Sequence, residues 1–234
     1  MRVQLTLLAA IVSLLFSVPA SSSEEDWTAD WLFRAAPVGA VPSQPKQRMW
    51  RDEKRKLVIL DGEICLRRGQ LEMLACPRGT KEYESLIVVD AIPGLVHREL
   101  IRVGAQPGSP TQFDPYKPAS GTEIQVIVCW QDEAGKRHAV AAQELIKNTK
   151  TGKAMKGSWV FAGSRFVEDP DTGRTTCLAD GGDFISVANF STSLIDLPVR
   201  SPEDNSALLF EPMSERVPQE KTKVRLILVP QLDE

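Results

Sequence analysis

Short apolar runs, several of them alternating with polar residues, follow one another from Leu57 to the end of the chain. Ile124, Val126 and Val128 alternate with polar neighbours, and this period of two is typical of a strand with one buried face. Residues 86–92 form a nearly continuous apolar run, which is typical of a strand buried on both faces. The pattern therefore predicts a series of short strands.

A helical period stands out in one place. Val96, Leu100 and Val103 are spaced four and three residues apart, so they share one face of a helix. Pro93 precedes them and is well tolerated in a first helical turn, while Gly104 follows and can end a helix in a left-handed conformation. The spacing predicts one helix that begins near Pro93 and ends near Gly104.

The turn residues between the apolar runs predict how the strands connect. A glycine-containing turn separates 57–66 from 70–76, and Asp-Pro-Asp-Thr-Gly separates 158–168 from 174–178, so each pair is predicted to form a hairpin. About nine short strands accompany the one helix. The fold class predicted is mainly β or α+β, with short antiparallel strands and hairpins.

The first 20 residues have the composition of an export signal. Arg2 is followed by an uncharged run over 3–18, and small or permissive residues at Val18 to Ala20 resemble a signal-peptidase site. The run is short for a membrane span, which needs roughly 20 apolar residues. We therefore expect export by a Sec-type signal to the periplasm or the extracellular space. An uncleaved membrane anchor is the alternative, and no other contact with a membrane is expected.

Residues 21–56 read as a linker or as an arm docked on the domain. Prolines and a mixed-charge run favour a linker, whereas four aromatic residues favour docking. These aromatic residues are Trp27, Trp31, Phe33 and Trp50. A single globular domain is then expected over 57–234.

The charge balance bears on partners. The 234-residue chain carries a net charge of −3, which argues against binding driven by nucleic-acid phosphates. The partner is expected to be an unidentified ligand or protein, and not a nucleic acid.

The number of cysteines is even, and in an exported protein cysteines can form disulfide bonds in pairs. None lies in a C-x-x-C motif, so neither a zinc ribbon nor an iron–sulfur cluster is indicated. A disulfide between Cys65 and Cys76 is one alternative, because a turn at Arg68-Gly69 would bring them together; free core thiols are the other. The four cysteines are Cys65, Cys76, Cys129 and Cys177.

Three stretches of sequence resemble a known family. They are LEMLAC (71–76) followed by KEYES (81–85), then SWVFAGSRF (158–166), and GDFISVANF (182–190) running on to LIDLP (194–198). Together they are similar to the YdjY-like domain family of bacterial exported proteins, over roughly residues 57–230. The resemblance implies export and a β-rich domain, but no particular activity or catalytic residue. Some relatives are labelled ferredoxin-like, which the scattered cysteines of this chain do not support.

The candidate binding residues are Lys81, Glu82, Glu84 and His97. The first three belong to a charged loop directly before the buried strand at 86–92, and loops at strand ends are common binding places. A solvated turn is the alternative for this loop. His97 flanks the apolar stripe of the predicted helix, where a structural role is the alternative.

No catalytic motif is recognisable, so whether the protein is an enzyme stays open. The leading hypothesis is a non-enzymatic exported module that binds a ligand or a protein, with no cofactor and no resident metal predicted. The alternative is a metal-assisted enzyme that uses His97 with the carboxylates of the loop from Lys81 to Ser85. A third reading, a cysteine-based electron carrier, lacks the usual cysteine spacing.

Overall fold

The computed structural model describes residues 36–37, 39–44, 47–202 and 208–232. The signal sequence expected at 1–20, and Trp27, Trp31 and Phe33 of the segment that follows it, lie outside the described residues.

Strands are the main regular structure of the described chain and far outnumber its helical residues, which confirms the predicted strand-rich fold class. The strands are β1 (Val41–Pro42), β2 (Met49–Asp52), β3 (Leu57–Ile64), β4 (Met73–Pro77), β5 (Ser85–Val89), β6 (Pro107–Ser109), β7 (Gln112–Phe113), β8 (Tyr116–Lys117), β9 (Ser120–Gly121), β10 (Glu123–Gln131), β11 (Arg137–Ala141), β12 (Ile146–Asn148), β13 (Trp159–Phe161), β14 (Phe166–Glu168), β15 (Thr175–Cys177), β16 (Ile185–Ser186), β17 (Ile195–Asp196), β18 (Phe210–Pro212) and β19 (Lys223–Pro230).

The described residues contain one α-helix, α1, which spans Pro93–Arg102 and confirms the predicted helix. Val96, Leu100 and Val103 are fully buried, and Gly104 follows in the left-handed region with a φ of 107°. Single 3-10 turns occur at Glu82–Glu84, Ala142–Leu145 and Leu178–Gly181. Within the described part of the chain, no helix has the length and apolar character needed to cross a membrane.

Eight strands form a closed barrel in the order β3-β19-β10-β13-β17-β16-β4-β5, because β5 pairs again with β3. The β4–β5 and β16–β17 pairs are parallel, and the other pairs of the barrel are antiparallel. Gly62 permits the closure: a Cβ there would lie 2.3 Å from the carbonyl oxygen of Val88 on β5. Only a residue without a side chain lets the two strands approach so closely.

The predicted hairpin between 57–66 and 70–76 is wrong. Strands β3 and β4 do not pair with each other, because β5 lies between them and pairs with both. The apolar residues of β5 are buried, so this strand belongs inside the barrel wall, and the turn near Gly69 joins strands that are not neighbours. The second predicted hairpin is confirmed as β14 and β15, although Trp159–Phe161 forms a separate strand of the barrel.

Part of the segment 21–56 belongs to the sheet. Strand β2 pairs with the first half of β3, and the side chains of Met49 and Trp50 are buried. Arg51 of β2 also forms an ion pair with Glu99, a fully buried residue of α1. These contacts attach β2 both to the barrel and to the helix.

A buried polar network fixes the short strands β16 and β17. The carboxylate of Asp196 accepts hydrogen bonds from the Thr111 hydroxyl at 2.9 Å, the Asn189 amide nitrogen at 3.1 Å and the Leu197 backbone N–H at 2.8 Å. Burial raises the pKa of Asp196 to about 6 although these donors oppose the shift. Because β16 and β17 have only two residues each, side-chain hydrogen bonds replace much of the usual ladder.

Candidate functional site

Lys81 lies on a fixed turn at the start of β5. The Ser85 hydroxyl donates to the carbonyl oxygen of Lys81 at 2.6 Å, and the Glu84 backbone N–H donates to the same oxygen at 3.2 Å. Glu82 accepts a hydrogen bond from the Gly79 backbone N–H at 2.5 Å. The predicted charged loop is therefore an ordered turn, in which the Glu82 side chain bonds to the backbone of the same turn.

The ammonium group of Lys81 is surrounded by three carboxylates and one aromatic ring. Its Nζ lies 3.1 Å from Glu84 Oε1, 3.2 Å from Asp183 Oδ1 and 3.5 Å from Glu72 Oε2. The centroid of the Phe190 ring lies 4.4 Å from the same nitrogen, within the range of a cation–π contact. We call Glu72, Lys81, Glu84, Asp183 and Phe190 the Lys81 cluster.

The cluster joins elements that are far apart in the sequence. Glu72 directly precedes β4, and its carbonyl oxygen accepts hydrogen bonds from the backbone N–H groups of Val187 and Ala188 at 2.8 and 3.0 Å. The Glu72 N–H donates to the carbonyl oxygen of Glu84 at 3.0 Å. Asp183 lies two residues before β16, and its carboxylate accepts a hydrogen bond from the Thr192 hydroxyl.

Gly182 makes room for the lysine. A Cβ at this position would lie 2.7 Å from Cγ of Lys81, and the φ of 137° is unfavourable for other residue types. The lysine stem therefore packs over the backbone of Gly182, and this contact directs the ammonium group towards Asp183.

Burial and charge shift the pKa values of the cluster in a consistent way. Burial, and then repulsion from Glu84, raise the pKa of Glu72 to about 7, although Lys81 opposes the shift. Burial alone would lower the pKa of Lys81, but attraction to Asp183 and Glu84 outweighs it and raises that pKa. Lys81 therefore stays charged, and Glu72 is the carboxyl group that gains or loses a proton near neutral pH.

His97 faces a different environment. Its ring contacts Phe161 at a centroid distance of 5.1 Å and Phe166 at 4.8 Å, both edge-on, and burial lowers the pKa of the imidazole. The structure thus brings Lys81 and Glu84 together, whereas Glu82 bonds within its own turn and His97 packs against aromatic rings. Among the described residues, no group of three or more His, Cys, Asp or Glu side chains is arranged to hold a metal ion.

All four cysteines are free thiols, so Cys65 and Cys76 do not form the disulfide considered from the sequence. Cys65 pairs through its backbone N–H with Leu86 on one side of β5, whereas Cys76 is the partner of Val88 on the other side. Burial raises the pKa of Cys65 to about 12, so this thiol stays protonated and unreactive near neutral pH.

Sequence reasoning missed Glu72, Asp183 and Phe190. Each lies at the edge of an apolar run, where its pattern is that of an ordinary polar or core position. The sequence held one signal, because Glu72 lies inside the strand predicted at 70–76 and Asp183 stands directly before the strand-like run at 184–188. The register that brings both strands to the Lys81 turn depends on long-range pairing.

The fold and the site define a closed β-barrel domain with one packed helix and a half-buried cluster of one cation and three carboxylates. The YdjY domain family model matches residues 49–229, so the chain belongs to the YdjY domain family. The match begins at Met49, the first residue of β2, and confirms the resemblance found in the sequence. Comparisons with curated proteins and with solved structures give no significant match.

Proposed function

We propose that this chain is an exported binding module, and that the Lys81 cluster binds the cationic group of a ligand, such as an ammonium or guanidinium group. The observation that carries the proposal is the surplus of carboxylates, three of them around the single ammonium of Lys81. Export is supported by the signal-like residues 1–20.

The cluster has the chemistry to accept a second positive charge. The side chains of Glu72, Glu84 and Asp183 are between 12% and 16% exposed, so they are partly shielded from solvent and still reachable. Charges interact more strongly in such surroundings than in open water. A ligand cation beside Glu72 and Glu84 would replace the proton that Glu72 holds near neutral pH.

Cadaverine is a suitable probe, because it has the methylene chain and the ammonium group of a lysine, and 1,5-pentanediol is its uncharged counterpart. We expect cadaverine to shift the amide NMR signals of Glu72, Glu84 and Asp183 in a saturable way, and pentanediol to leave them unchanged. Glu72→Gln should weaken binding at least about fivefold, since it removes a charge-assisted contact.

Glu82→Gln is the matched control. Like Glu72→Gln it removes one carboxylate charge, here from the turn that carries Lys81, and the glutamine oxygen can still accept the Gly79 N–H. We expect this variant to bind cadaverine as the wild type does. If both substitutions weakened binding equally, the cause would be the overall charge of the protein. That result would contradict a binding site at the Lys81 cluster.

The metal-assisted enzyme has less support from the geometry. Its proposed histidine, His97, packs its ring against Phe161 and Phe166, whereas the carboxylates of the Lys81 cluster surround Lys81. Metal analysis of the purified protein tests this alternative. Stoichiometric zinc or iron that is lost in His97→Ala would favour it over the binding module.

A further inference from the structure

Two neighbouring cavities lie away from the Lys81 cluster, on either side of Arg67. The first has a volume of about 460 Å³ and is lined by Trp130, Glu133, Glu215 and Val217 among others. The second has a volume of about 540 Å³ and is lined by Leu66, Arg68 and Glu220. Arg67 and Gln219 line both cavities, so the two form one groove with a shared wall.

Hydrogen bonds hold the shared wall in place. Arg67 donates from Nη1 to the side-chain oxygen of Gln219 at 2.9 Å and from Nη2 to the carbonyl oxygen of Ser214 at 2.7 Å. The Ser214 hydroxyl in turn donates to the carbonyl oxygen of Arg67 at 2.8 Å. The Nε of Arg67 is buried and has no hydrogen-bond partner in the described structure.

The two ends of the groove differ in charge. Glu133 and Glu215 line the first cavity, where Asp132 is already paired with His138 at 2.8 Å. The ring of that histidine stacks on Trp130 at a centroid distance of 4.7 Å, which supports the indole as a rigid wall. Arg67 and Arg68 line the other end together with one carboxylate, that of Glu220, so this end keeps an excess of positive charge.

We propose that this groove binds a short zwitterionic peptide, with its amino group towards Glu133 and Glu215 and its carboxylate towards Arg67 and Arg68. Each cavity lies within the size range of small-molecule sites; the first combines apolar walls with charged groups, and the second is mainly polar. Arg67 and Gln219 present hydrogen-bonding groups between the two ends, where the peptide backbone would pass. The site is separate from the Lys81 cluster and does not depend on the function proposed for it.

Tri-alanine and its two blocked forms test the proposal directly. We expect tri-alanine to bind saturably, with a shift of the Trp130 indole N–H signal in the NMR spectrum. N-acetylation or C-terminal amidation should each weaken binding about tenfold or more, because each removes one charged hydrogen-bonding group.

Protein variants separate the groove from general electrostatics. Arg68→Gln should weaken tri-alanine binding at least about fivefold, and the substitution should leave the fold intact because the Arg68 side chain is exposed. Arg165→Gln is the matched control, since it removes an exposed arginine outside the groove. Glu72→Gln should leave tri-alanine binding unchanged, which keeps this test independent of the Lys81 cluster. No saturable binding of tri-alanine, or equal binding of its blocked forms, would overturn the proposal.

Discussion

At the scale of single residues, Glu72 and Gly182 determine the properties of the Lys81 cluster. Glu72 carries the carboxyl group whose pKa is raised to about 7 by burial and by the charge of Glu84. Gly182 supplies the space in which the lysine stem lies. One residue therefore sets the proton affinity of the site, and the other sets its geometry.

The raised pKa of Glu72 predicts a particular dependence of stability on pH. The folded state holds the proton up to about pH 7, whereas an unfolded chain releases it near pH 4.5. Glu72 should therefore make the wild type less stable as the pH rises from about 4.5 to about 7. In the wild type, this effect should lower the free energy of unfolding by about 1 to 3 kcal/mol between pH 5 and pH 8. Glu72→Gln should abolish that contribution.

Urea denaturation at both pH values measures this difference, with Glu82→Gln as the control that should behave as the wild type does. An unchanged pH dependence in Glu72→Gln would show that the Glu72 pKa is not raised in the folded protein.

Gly182 and Gly181 form a matched pair for the packing of Lys81. An added methyl group at Gly182 meets the lysine stem and a φ of 137°, whereas one at Gly181 meets no atom within 4 Å. Gly182→Ala should lower the free energy of unfolding by about 1 to 3 kcal/mol. Gly181→Ala should change it by less than about 0.5 kcal/mol. Equal effects in chemical denaturation would be inconsistent with the contact.

At the scale of elements, the sequence pattern correctly predicted the elements whose residues are close both in sequence and in space. Helix α1 follows its apolar spacing, and the β14–β15 hairpin follows its turn residues. The pairing of β3 with β5 could not be read from the sequence, because it depends on long-range closure of the barrel. The position of β5 between β3 and β4 separates Cys65 from Cys76, and the parallel pairing of β4 with β5 brings Glu72 to Lys81.

Strand β2 provides a test at this scale. A chain that begins at Leu57 would lose the buried side chains of Met49 and Trp50, and Glu99 would lose its ion pair with Arg51. Loss of this apolar burial should lower the free energy of unfolding by at least about 3 kcal/mol relative to a chain that begins at Ala36. Thermal denaturation followed by circular dichroism compares the two chains. Equal melting temperatures would mean that β2 adds little to the domain.

At the scale of the whole molecule, the closed barrel explains why a site can form from such short strands. Its eight strands bring together segments as distant as Glu72 and Asp183, and the Asp196 network fixes the segment that carries Asp183 and Phe190. The family match over 49–229 covers this barrel from β2 to within one residue of the end of β19. The cluster is therefore a product of the complete domain and not of one loop.

The most direct test of whether the Lys81 cluster binds a cation in place of a proton is calorimetric titration with cadaverine at pH 7. The titration is done in two buffers that have different heats of ionisation. Because the pKa of Glu72 is about 7, binding should release up to about half a proton per site in the wild type, and none in Glu72→Gln. The same proton release in the two proteins, or proton uptake on binding, would contradict the account.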